Sequence, residues 1–550
     1  YPAWDSEMGE PENPVAAINS DLTGYRREKR YNFNGALSLT YDIPGVKGLS
    51  AKAFYSYDYY TTNNTSYKRA YKLYNKREDG TMESFDRNAD SNLRRNTDPN
   101  YGTVMQLSLN YANKFGDHNV GAMVLFEEQY NNWDNFYAQR VMQLDGEYLI
   151  YGEEKDQIGS MGGAGDKTRQ SVVGKVNYDY KGRYMVDFSF RYDGNTLFPD
   201  GHRWGFFPSV SAAWRLSEES FMENTTDWLS NLKLRASYGT TGNDLDVNDE
   251  EIAAFSYLQK YNKGGNYVFG NNLANTITPG ATPNLALTWA TSKTVNGGLD
   301  FGFFNNRLSG TVDAFYRKET DILGARTVTI PNTYGQTLAP ENYAERSWRG
   351  GEIALTWMDK AANGEIDSAY VNLGFARDKW DVLDVSATYQ EGGALHALSP
   401  VGKADGILTG LIADHLLTDP AEVEALKAKG FKQYGRDPYL GGILYKDTRG
   451  DGYTEGPDGR IDGNDAYNLL SENGTPRINY GFGGNIKWKG ITVDVHFQGV
   501  GKYDRFVGGV DGGFYQHGGA VRPYFPIWTS DKVYDPDLNP NGVYPRIVGN

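Results

Sequence analysis

An acidic run between residues 447 and 465 holds the side chains best suited to bind a hard cation. Calcium prefers several carboxylate oxygens on a loop that glycine makes flexible, and this run offers both. The spacing departs from that of an EF-hand, because Arg449 stands at a ligand position and no Glu closes the loop at the required distance. We therefore predict a structural acidic turn ahead of a calcium site, and no other cofactor. The five candidate ligands are Asp447, Asp451, Asp458, Asp462 and Asp465.

Aromatic side chains set among amides and acids form a second candidate site. Sugars stack their C–H faces on Tyr and Trp rings, while sugar hydroxyls hydrogen-bond to Asn, Asp and Arg. Two stretches, residues 130–137 and 514–528, combine these residue types. We predict that they lie in loops and bind ligand; the alternative is that such loops stabilise themselves or contact a partner protein. The candidates are Tyr130, Trp133, Phe136, Tyr137, Phe514, Tyr515 and Trp528.

The short motifs of common enzymes are missing from the sequence. It has no cysteine, which excludes a thiol nucleophile, a disulfide framework and Cys-ligated zinc. The six histidines form no HxH or HExxH pattern, and Lys167 lacks the preceding Gly of a phosphate-binding loop. Among 70 carboxylates, a pair suited to glycoside hydrolysis occurs by chance. We predict that the protein is not an enzyme and has no catalytic residues.

Long strands with two different faces must position these residues. In the strand at 183–194, apolar Val186 and Phe188 alternate with polar Asp187 and Ser189. Such runs reach about 12 residues and carry aromatic residues near their ends, which is typical of a lipid-facing band with aromatic girdles. The alternation predicts about fourteen strands, at 31–43, 49–61, 102–114, 118–130, 168–180, 183–194, 204–217, 231–242, 287–303, 307–318, 346–358, 366–378, 478–488 and 490–502.

The connections between these strands alternate between short and long. Strict alternation is typical of an outer-membrane barrel with tight periplasmic turns and long extracellular loops, whereas a sandwich has no reason to place every long loop at one end. We predict that the long connections are extracellular and that 379–477 includes a helix at 420–429. The short connections are 44–48, 115–117, 181–182, 217–230, 304–306, 359–364 and 489; the long ones are 61–101, 131–167, 195–203, 243–286, 319–345 and 379–477.

Composition does not exclude a transmembrane barrel, whose lumen face and outer loops are polar. The 550 residues include 41 Tyr, 25 Phe and 11 Trp, a content that argues against disorder. No stretch approaches the ~18 consecutive apolar residues of a membrane-spanning helix. A formal net charge of −15 argues against a nucleic-acid partner. The predicted fold class is therefore all-β: a segment of a large transmembrane antiparallel β-barrel with long extracellular loops.

Several motifs, in chain order from about Asn13 to Arg546, carry a family resemblance. They resemble the barrel of SusC-like TonB-dependent transporters of Bacteroidetes outer membranes. Together the motifs are specific, although each alone is weak. They are Arg191–Phe198, Arg203–Ser217, Leu234–Asn243, Pro283–Leu285, Gly298–Asp313, Gly350–Ile353, Asp447–Asp465 and Pro476–Phe482.

The resemblance implies a function in active import across the outer membrane. Such proteins import oligosaccharides, or in some members peptides, with a SusD-like surface lipoprotein and with energy from TonB, ExbB and ExbD. Family members also carry an N-terminal plug domain, and the resemblance implies that the sequence begins inside the barrel. We therefore expect residues 1–550 to be an internal barrel segment without the plug, in contact with outer-membrane lipid.

Two alternatives from other classes remain. A secreted glycan-binding or glycan-cleaving β protein would also use Tyr, Trp and carboxylates. A passive porin would share the barrel and the loops. If the strand at 31–43 paired directly with the strand at 490–502, the chain would close by itself and the porin would be favoured.

Overall fold

The computed structural model describes residues 13–77, 79–88, 90–144, 146–154, 157–270, 272–327, 331–360, 366–506 and 532–546. Within them, fourteen strands form one antiparallel sheet in which neighbours along the chain are also neighbours in space. This confirms the predicted all-β class and the predicted number of strands. The strands are β1 Gly24–Asp42, β2 Leu49–Lys68, β3 Asn92–Phe115, β4 His118–Val141, β5 Ile158–Tyr180, β6 Tyr184–Asn195, β7 Trp204–Arg215, β8 Leu229–Asn243, β9 Ala290–Phe303, β10 Leu308–Gly324, β11 Glu341–Lys360, β12 Ile366–Val382, β13 Ile478–Trp488 and β14 Ile491–Gly501.

The other elements are short and lie in the connections or before β1. No helix in the described residues is long and apolar enough to cross a membrane. The predicted helix at 420–429 is observed at Pro420–Ala428, where Asp419 caps the first turn. The remaining helices are Pro14–Ala17 and Ser20–Thr23, and the 3₁₀ turns are Leu149–Tyr151, Leu216–Glu218, Ser220–Thr225, Asn332–Tyr334, Ala387–Tyr389, His396–Leu398, Asp451–Tyr453 and Asn464–Ala466. The small strand pairs are Tyr71–Lys76 with Met82–Arg87, Tyr261–Phe269 with Asn272–Pro279, Leu408–Gly410 with Asn468–Ser471, Ala413–Leu416 with Ile443–Tyr445, and Lys432–Gln433 with Arg460–Ile461.

Because consecutive strands are antiparallel, the connections fall alternately at two ends of the sheet. We call these the turn end and the loop end. Gly48 shows how tight the turns are: it has φ +86°, and a Cβ there would lie 2.0 Å from the carbonyl oxygen of Ala112. Most of the predicted connection 359–364 falls outside the described residues. The turn end has 43–48, 116–117, 181–183, 216–228, 304–307 and 489–490; the loop end has 69–91, 142–157, 196–203, 244–289, 325–340 and 383–477.

The pairing register separates an apolar face from a polar face across the whole sheet. On β6, Phe188 pairs with Val210 of β7, while its neighbour Asp187 pairs with Ser211. The apolar face is largely exposed: Phe188, Val295 and Phe497 are 43%, 53% and 54% accessible. A soluble protein rarely exposes so much contiguous apolar surface, so this face requires an apolar surrounding.

Buried apolar clusters lie at the loop end, where long connections fold over the ends of strands. One cluster joins Phe198 and Leu287 of the connections to Phe207 and Leu323 of β7 and β10. A second joins Ala290, Ile322, Ala344 and Trp380, which lie on β9 to β12. The loop end is therefore a packed cap rather than a set of free loops.

The strands near the loop end are longer than predicted, which is the main correction to the predicted boundaries. The ladder between β2 and β3 continues beyond residue 61, with Asn63 opposite Thr97 and Thr65 opposite Arg95. The connections predicted at 61–101 and 131–167 are observed at 69–91 and 142–157 and are therefore shorter than predicted. On β2 the extension carries mainly Thr, Asn and Ser on both faces, so the apolar alternation that marks a strand is missing there, although Thr and Tyr still favour pairing.

Strands β1 and β14 form the two edges of the sheet. Among the described residues, the backbone ladder of β1 runs to β2 alone and that of β14 to β13 alone. The direct pairing expected of a closed fourteen-stranded porin is not found among these residues. That other strands pair with the two edges stays a prediction.

Candidate functional site

A groove of about 430 Å³ lies on the polar face across β1 to β4, towards the loop end. Its residues come from neighbouring rows of the register: Asn34 stands opposite Asp58, Asp58 opposite Gly102, and Gly102 opposite Asn131. We call it the amide groove. Its polar side chains are Asn32, Asn34, Asp58, Tyr60, Asn100, Gln129 and Asn131.

The amide groove offers hydrogen bonds of both polarities. Each Asn or Gln presents two N–H donors and a carbonyl acceptor. Asn34 donates from Nδ2 to Oδ1 of Asp58 at 2.6 Å, which fixes the orientation of that amide. Gly102 keeps the floor open, because a Cβ there would lie 2.8 Å from Oδ1 of Asn131. Such a surface suits a ligand rich in hydroxyl or amide groups.

The aromatic candidates 130–137 lie on β4, so the prediction that they belong to a loop is wrong. Their alternation divides them between the two faces. Trp133 and Tyr137 lie on the polar face: Trp133 pairs with Asn100 beside the groove, and Arg94 stacks 3.9 Å above the ring of Tyr137. Phe514, Tyr515 and Trp528 lie outside the described residues.

Tyr130 and Phe136 are on the apolar face, away from the groove. The ring centre of Tyr130 lies 5.8 Å from that of Tyr101, which lies 6.0 Å from that of Tyr57. Phe136 pairs with Thr97 and has the same parity as Tyr130. Of the four aromatic candidates on β4, Trp133 and Tyr137 are therefore placed where a ligand on the polar face could reach them.

Charged side chains elsewhere on the polar face neutralise one another across strands. Arg235 of β8 binds Asp300 of β9 at 2.8 Å and Asp313 of β10 at 3.0 and 2.8 Å. Lys233 adds a second contact to Asp300 at 3.1 Å. Charge-assisted bonds of this kind hold a polar wall in one geometry.

In the acidic run, Asp447 and Asp465 each accept several N–H groups of the loop's own backbone. Oδ1 of Asp465 accepts the N–H groups of Thr448 and Arg449 at 2.7 and 3.0 Å, and its Oδ2 accepts that of Asp462 at 2.9 Å. Asp447 accepts the N–H groups of residues 458 and 459 at 3.1 and 2.7 Å. These contacts match the structural turn that the sequence favoured.

The other three ligands gather on one side of the loop. Asp451, Asp458 and Asp462 each place a carboxylate oxygen within 4.8 Å of the others. Exposed acidic groups often lie this close without a metal, so calcium binding stays a prediction. Arg449 explains the departure from the EF-hand: it is buried and donates to the carbonyl oxygens of Tyr467 and Ala394 at 3.0 and 3.1 Å.

Comparison with known proteins identifies the family to which this two-faced sheet belongs. The family model described as "TonB dependent receptor-like, beta-barrel" matches residues 4–406. The chain belongs to the TonB-dependent receptor β-barrel family. The predicted SusC-like resemblance is thereby confirmed at the level of the barrel.

Two curated relatives of this TonB-dependent receptor barrel carry receptor names. TonB-dependent receptor SusC of Bacteroides thetaiotaomicron is 28% identical over 361 residues, which cover 62% of this chain and 33% of the relative. TonB-dependent receptor P26 of Formosa agariphila is 28% identical over 346 residues, which cover 60% of this chain and 31% of the relative. The alignments cover about a third of these relatives' length.

Solved structures share the fold of this receptor barrel. The structure described as the RagAB peptide transporter superposes with a TM-score of 0.67 at 18% identity, over 90% of this chain and 50% of that chain. The RagAB peptide importer in its open-open state gives 0.68 at 18% identity, over 92% and 50%. At this identity the likeness shows the fold alone.

Sequence reasoning missed the amide groove of this TonB-dependent receptor barrel. Its polar side chains are Asn, Gln, Asp and Tyr residues on four strands, and none stands in a recognisable motif. The only signal was their position on the polar side of alternating strands. That signal identifies a groove only once the register between strands is known.

The acidic loop gives a first testable prediction. Burial would raise the pKa of the Asp465 carboxyl, but the N–H groups of Thr448, Asp462 and Arg449 outweigh it and hold that pKa below its ordinary value. Its stabilising contribution is therefore present above the ordinary carboxyl pKa and is lost as pH falls through the lowered value. Asp465→Asn is expected to loosen the loop by about 1–3 kcal/mol, because the uncharged amide replaces an acceptor oxygen with a donor. Limited proteolysis within 447–465 measures this.

Asp451→Asn is the matched control, since Asp451 is exposed and bonds little of the loop backbone. It should leave proteolysis unchanged. If instead Asp451→Asn loosened the loop as much as Asp465→Asn, and only with calcium present, the acidic run would be a cation site rather than a structural turn.

Proposed function

We propose that this chain forms the wall and outer loops of an outer-membrane active importer of oligosaccharides. The observation that carries the proposal is the two-faced sheet, with an apolar face, a polar face and the longest connections at one end. A glycan-cleaving enzyme would need two carboxyl groups held at a fixed separation across the scissile bond. A secreted binding protein would need a cover for the apolar face.

The apolar face has the height of a membrane. Tyr101 and Tyr111 lie near the two ends of that face on β3. A strand rises about 3.3 Å per residue, so they are about 33 Å apart along the strand, or about 25 Å across a bilayer at a tilt near 40°. Rings at both levels supply the aromatic girdles of an outer-membrane barrel.

The polar face would then line the lumen, and the amide groove supports oligosaccharide as the cargo. Sugar hydroxyls both donate and accept, as do the side chains of Asn34 and Asn131. Trp133, beside the groove, offers a ring for a sugar face. The family resemblance implies the same cargo, and by that resemblance a SusD-like surface lipoprotein and the TonB, ExbB and ExbD proteins would be the partners.

Peptide is the second candidate cargo, because the structural neighbour RagAB is described as a peptide transporter. Amide side chains can also bond a peptide backbone. The same variants therefore have to be tested with both kinds of cargo.

Asn131→Ala in the full-length protein is expected to weaken oligosaccharide binding about 2- to 10-fold, because it removes hydrogen bonds worth about 0.5–1.5 kcal/mol. Calorimetry with the purified protein and uptake of a fluorescent oligosaccharide by cells measure the effect. The matched control is Asn132→Ala, one residue along β4, where the side chain lies on the apolar face opposite Tyr101. Equal losses at both positions would contradict a site in the groove. Loss of peptide uptake alone would reassign the cargo without affecting the transport function.

The orientation of the sheet gives another prediction. Single cysteines at Glu391 in the connection 383–477 and at Ser256 in 244–289 are expected to react with an impermeant thiol reagent on intact cells. Cysteines at Val46 and Asn305, both exposed at the turn end, should react only after the outer membrane is opened. These 550 residues contain no native cysteine to interfere. Labelling of the turns but not the loops would reverse the topology.

A further inference from the structure

The connection 216–228 differs from the other described connections of the turn end. It is the longest of them, and it forms two short 3₁₀ turns, Leu216–Glu218 and Ser220–Thr225. Two of its rings have large exposed fractions: Phe221 is 63% exposed and Trp228 is 49% exposed. Large exposed rings at this end of the sheet need an explanation.

The rings of this segment continue the aromatic row of the apolar face. Phe221 meets Trp214 of β7 edge-on at 6.5 Å, and Trp214 stacks with Tyr184 of β6 at 6.4 Å. Trp228 lies nearly parallel to Phe303 of β9 at 5.8 Å. The segment is therefore folded against the apolar face and not under the polar one.

Glu219 orients the polar atoms of this row. It accepts the hydroxyl of Tyr184 at 2.5 Å and the indole N–H of Trp214 at 3.0 Å, and Arg183 lies 3.7 Å away. The hydrogen bonds from Tyr184 and then Trp214 lower the pKa of the Glu219 carboxyl, which keeps it charged. Rings with their polar atoms towards charge and water and their apolar edges away are typical of the membrane interface.

Several backbone groups of the segment are bonded within it. The N–H groups of Glu219, Met222 and Trp228 donate to carbonyl oxygens three residues earlier, at 3.0, 2.9 and 3.1 Å. The hydroxyl of Thr225 donates to the carbonyl oxygen of Met222 at 2.7 Å. Each backbone group bonded in this way lowers the cost of placing the segment against an apolar phase.

We propose that residues 216–228 are a membrane-interface anchor, with Phe221 and Trp228 at the boundary between headgroups and acyl chains of the leaflet at the turn end. The proposal rests on the assignment of the apolar face to lipid. The segment has four acidic residues and no Lys or Arg, so it fits zwitterionic headgroups rather than an anionic surface. A protein partner on the same rings is the outcome that the test has to exclude.

Fluorescence quenching tests the proposal on the full-length protein in nanodiscs of phosphatidylcholine and phosphatidylethanolamine. A bimane label on Phe221→Cys is expected to be quenched several-fold more by lipids brominated near the headgroup than by lipids brominated near the chain end, and little by aqueous iodide. The control Glu223→Cys, exposed on the same turn, should show strong iodide quenching. A bimane label on Ser220→Cys repeats the measurement in a protein that retains Phe221.

A third label, on Phe188→Cys in the middle of the apolar face, separates two kinds of failure. Suppose that lipid bromine quenches the label at Phe188, while the label at Phe221 is either quenched by iodide or shielded from both quenchers. That result would overturn the anchor and leave the assignment of the barrel intact. If the label at Phe188 escaped lipid bromine as well, the assignment of the apolar face to lipid would fall with it.

Discussion

Replacing Arg346 with Met is expected to cost about 3–5 kcal/mol at the loop end, because it would leave a buried carboxylate without its partner. The side chain of Arg346 is 10% exposed and binds Asp378, which is 11% exposed, at 2.6 Å. Both lie on the polar face at the ends of β11 and β12. The guanidinium also lies 5.0 Å from the ring centres of Trp348 and Trp380.

Arg346 also holds two long connections to the sheet. Asp405 of 383–477 lies 3.4 Å from the guanidinium, and Asp249 of 244–289 lies 3.6 Å from it. Loss of the cation would therefore release two connections that are far apart in sequence. In the full-length protein, hydrogen exchange should become faster in both, while the turn end stays unchanged.

The control for Arg346 is Lys318→Met on the neighbouring strand. Lys318 pairs with Glu345 at 2.8 Å, but its side chain is 40% exposed, and exposed pairs contribute about 0–1 kcal/mol. Adding Asp378→Leu to Arg346→Met should restore much of the lost stability, because it removes the unpaired charge. If Arg346→Met left hydrogen exchange in both connections unchanged, the apolar clusters would be sufficient to hold the connections at the loop end without the ion pair.

The faces and the connections of the sheet could be predicted because both are local properties. The alternation within one strand is enough to assign neighbouring residues such as Asp187 and Phe188 to opposite faces of the sheet. The strand ends could not be predicted in the same way. Thr65 and its partner Arg95 belong to the ladder, but neither carries the apolar signal by which a strand was recognised.

The candidate site depends on register, which a single sequence does not give. Asn131 and Asn132 are indistinguishable in the sequence, yet they lie on opposite faces, and a slip of one residue would exchange them. Asn34 and Asp58 reach Asn131 only through the pairing of four strands. The acidic run was easier to predict, because its candidate ligands are close together in the sequence. Even there, the different roles of Asp465 and Asp451 followed only from their burial in the structure.

A comparison of Phe188→Arg with Ser189→Arg tests the environment of the sheet itself. Phe188 lies on the apolar face between Val176 and Val210, and Ser189 lies on the polar face beside Lys175. In a bilayer, Arg at Phe188 is expected to cost about 2–4 kcal/mol, and Arg at Ser189 little beyond its repulsion from Lys175. Denaturant titration of the full-length protein in lipid vesicles measures both.

The size of the effect at Phe188 distinguishes lipid from water, because Phe188 is 43% exposed. In water, a surface position of this kind usually tolerates substitution within about 0.5 kcal/mol. In lipid, the exposed side chain is the one that meets hydrocarbon, so its exposure increases the cost of a charge. The cost should also fall to about 0–1 kcal/mol for Tyr184→Arg, which lies at the girdle of the turn end. Equal tolerance at Phe188, Ser189 and Tyr184 would mean that the two faces have a cause other than a membrane.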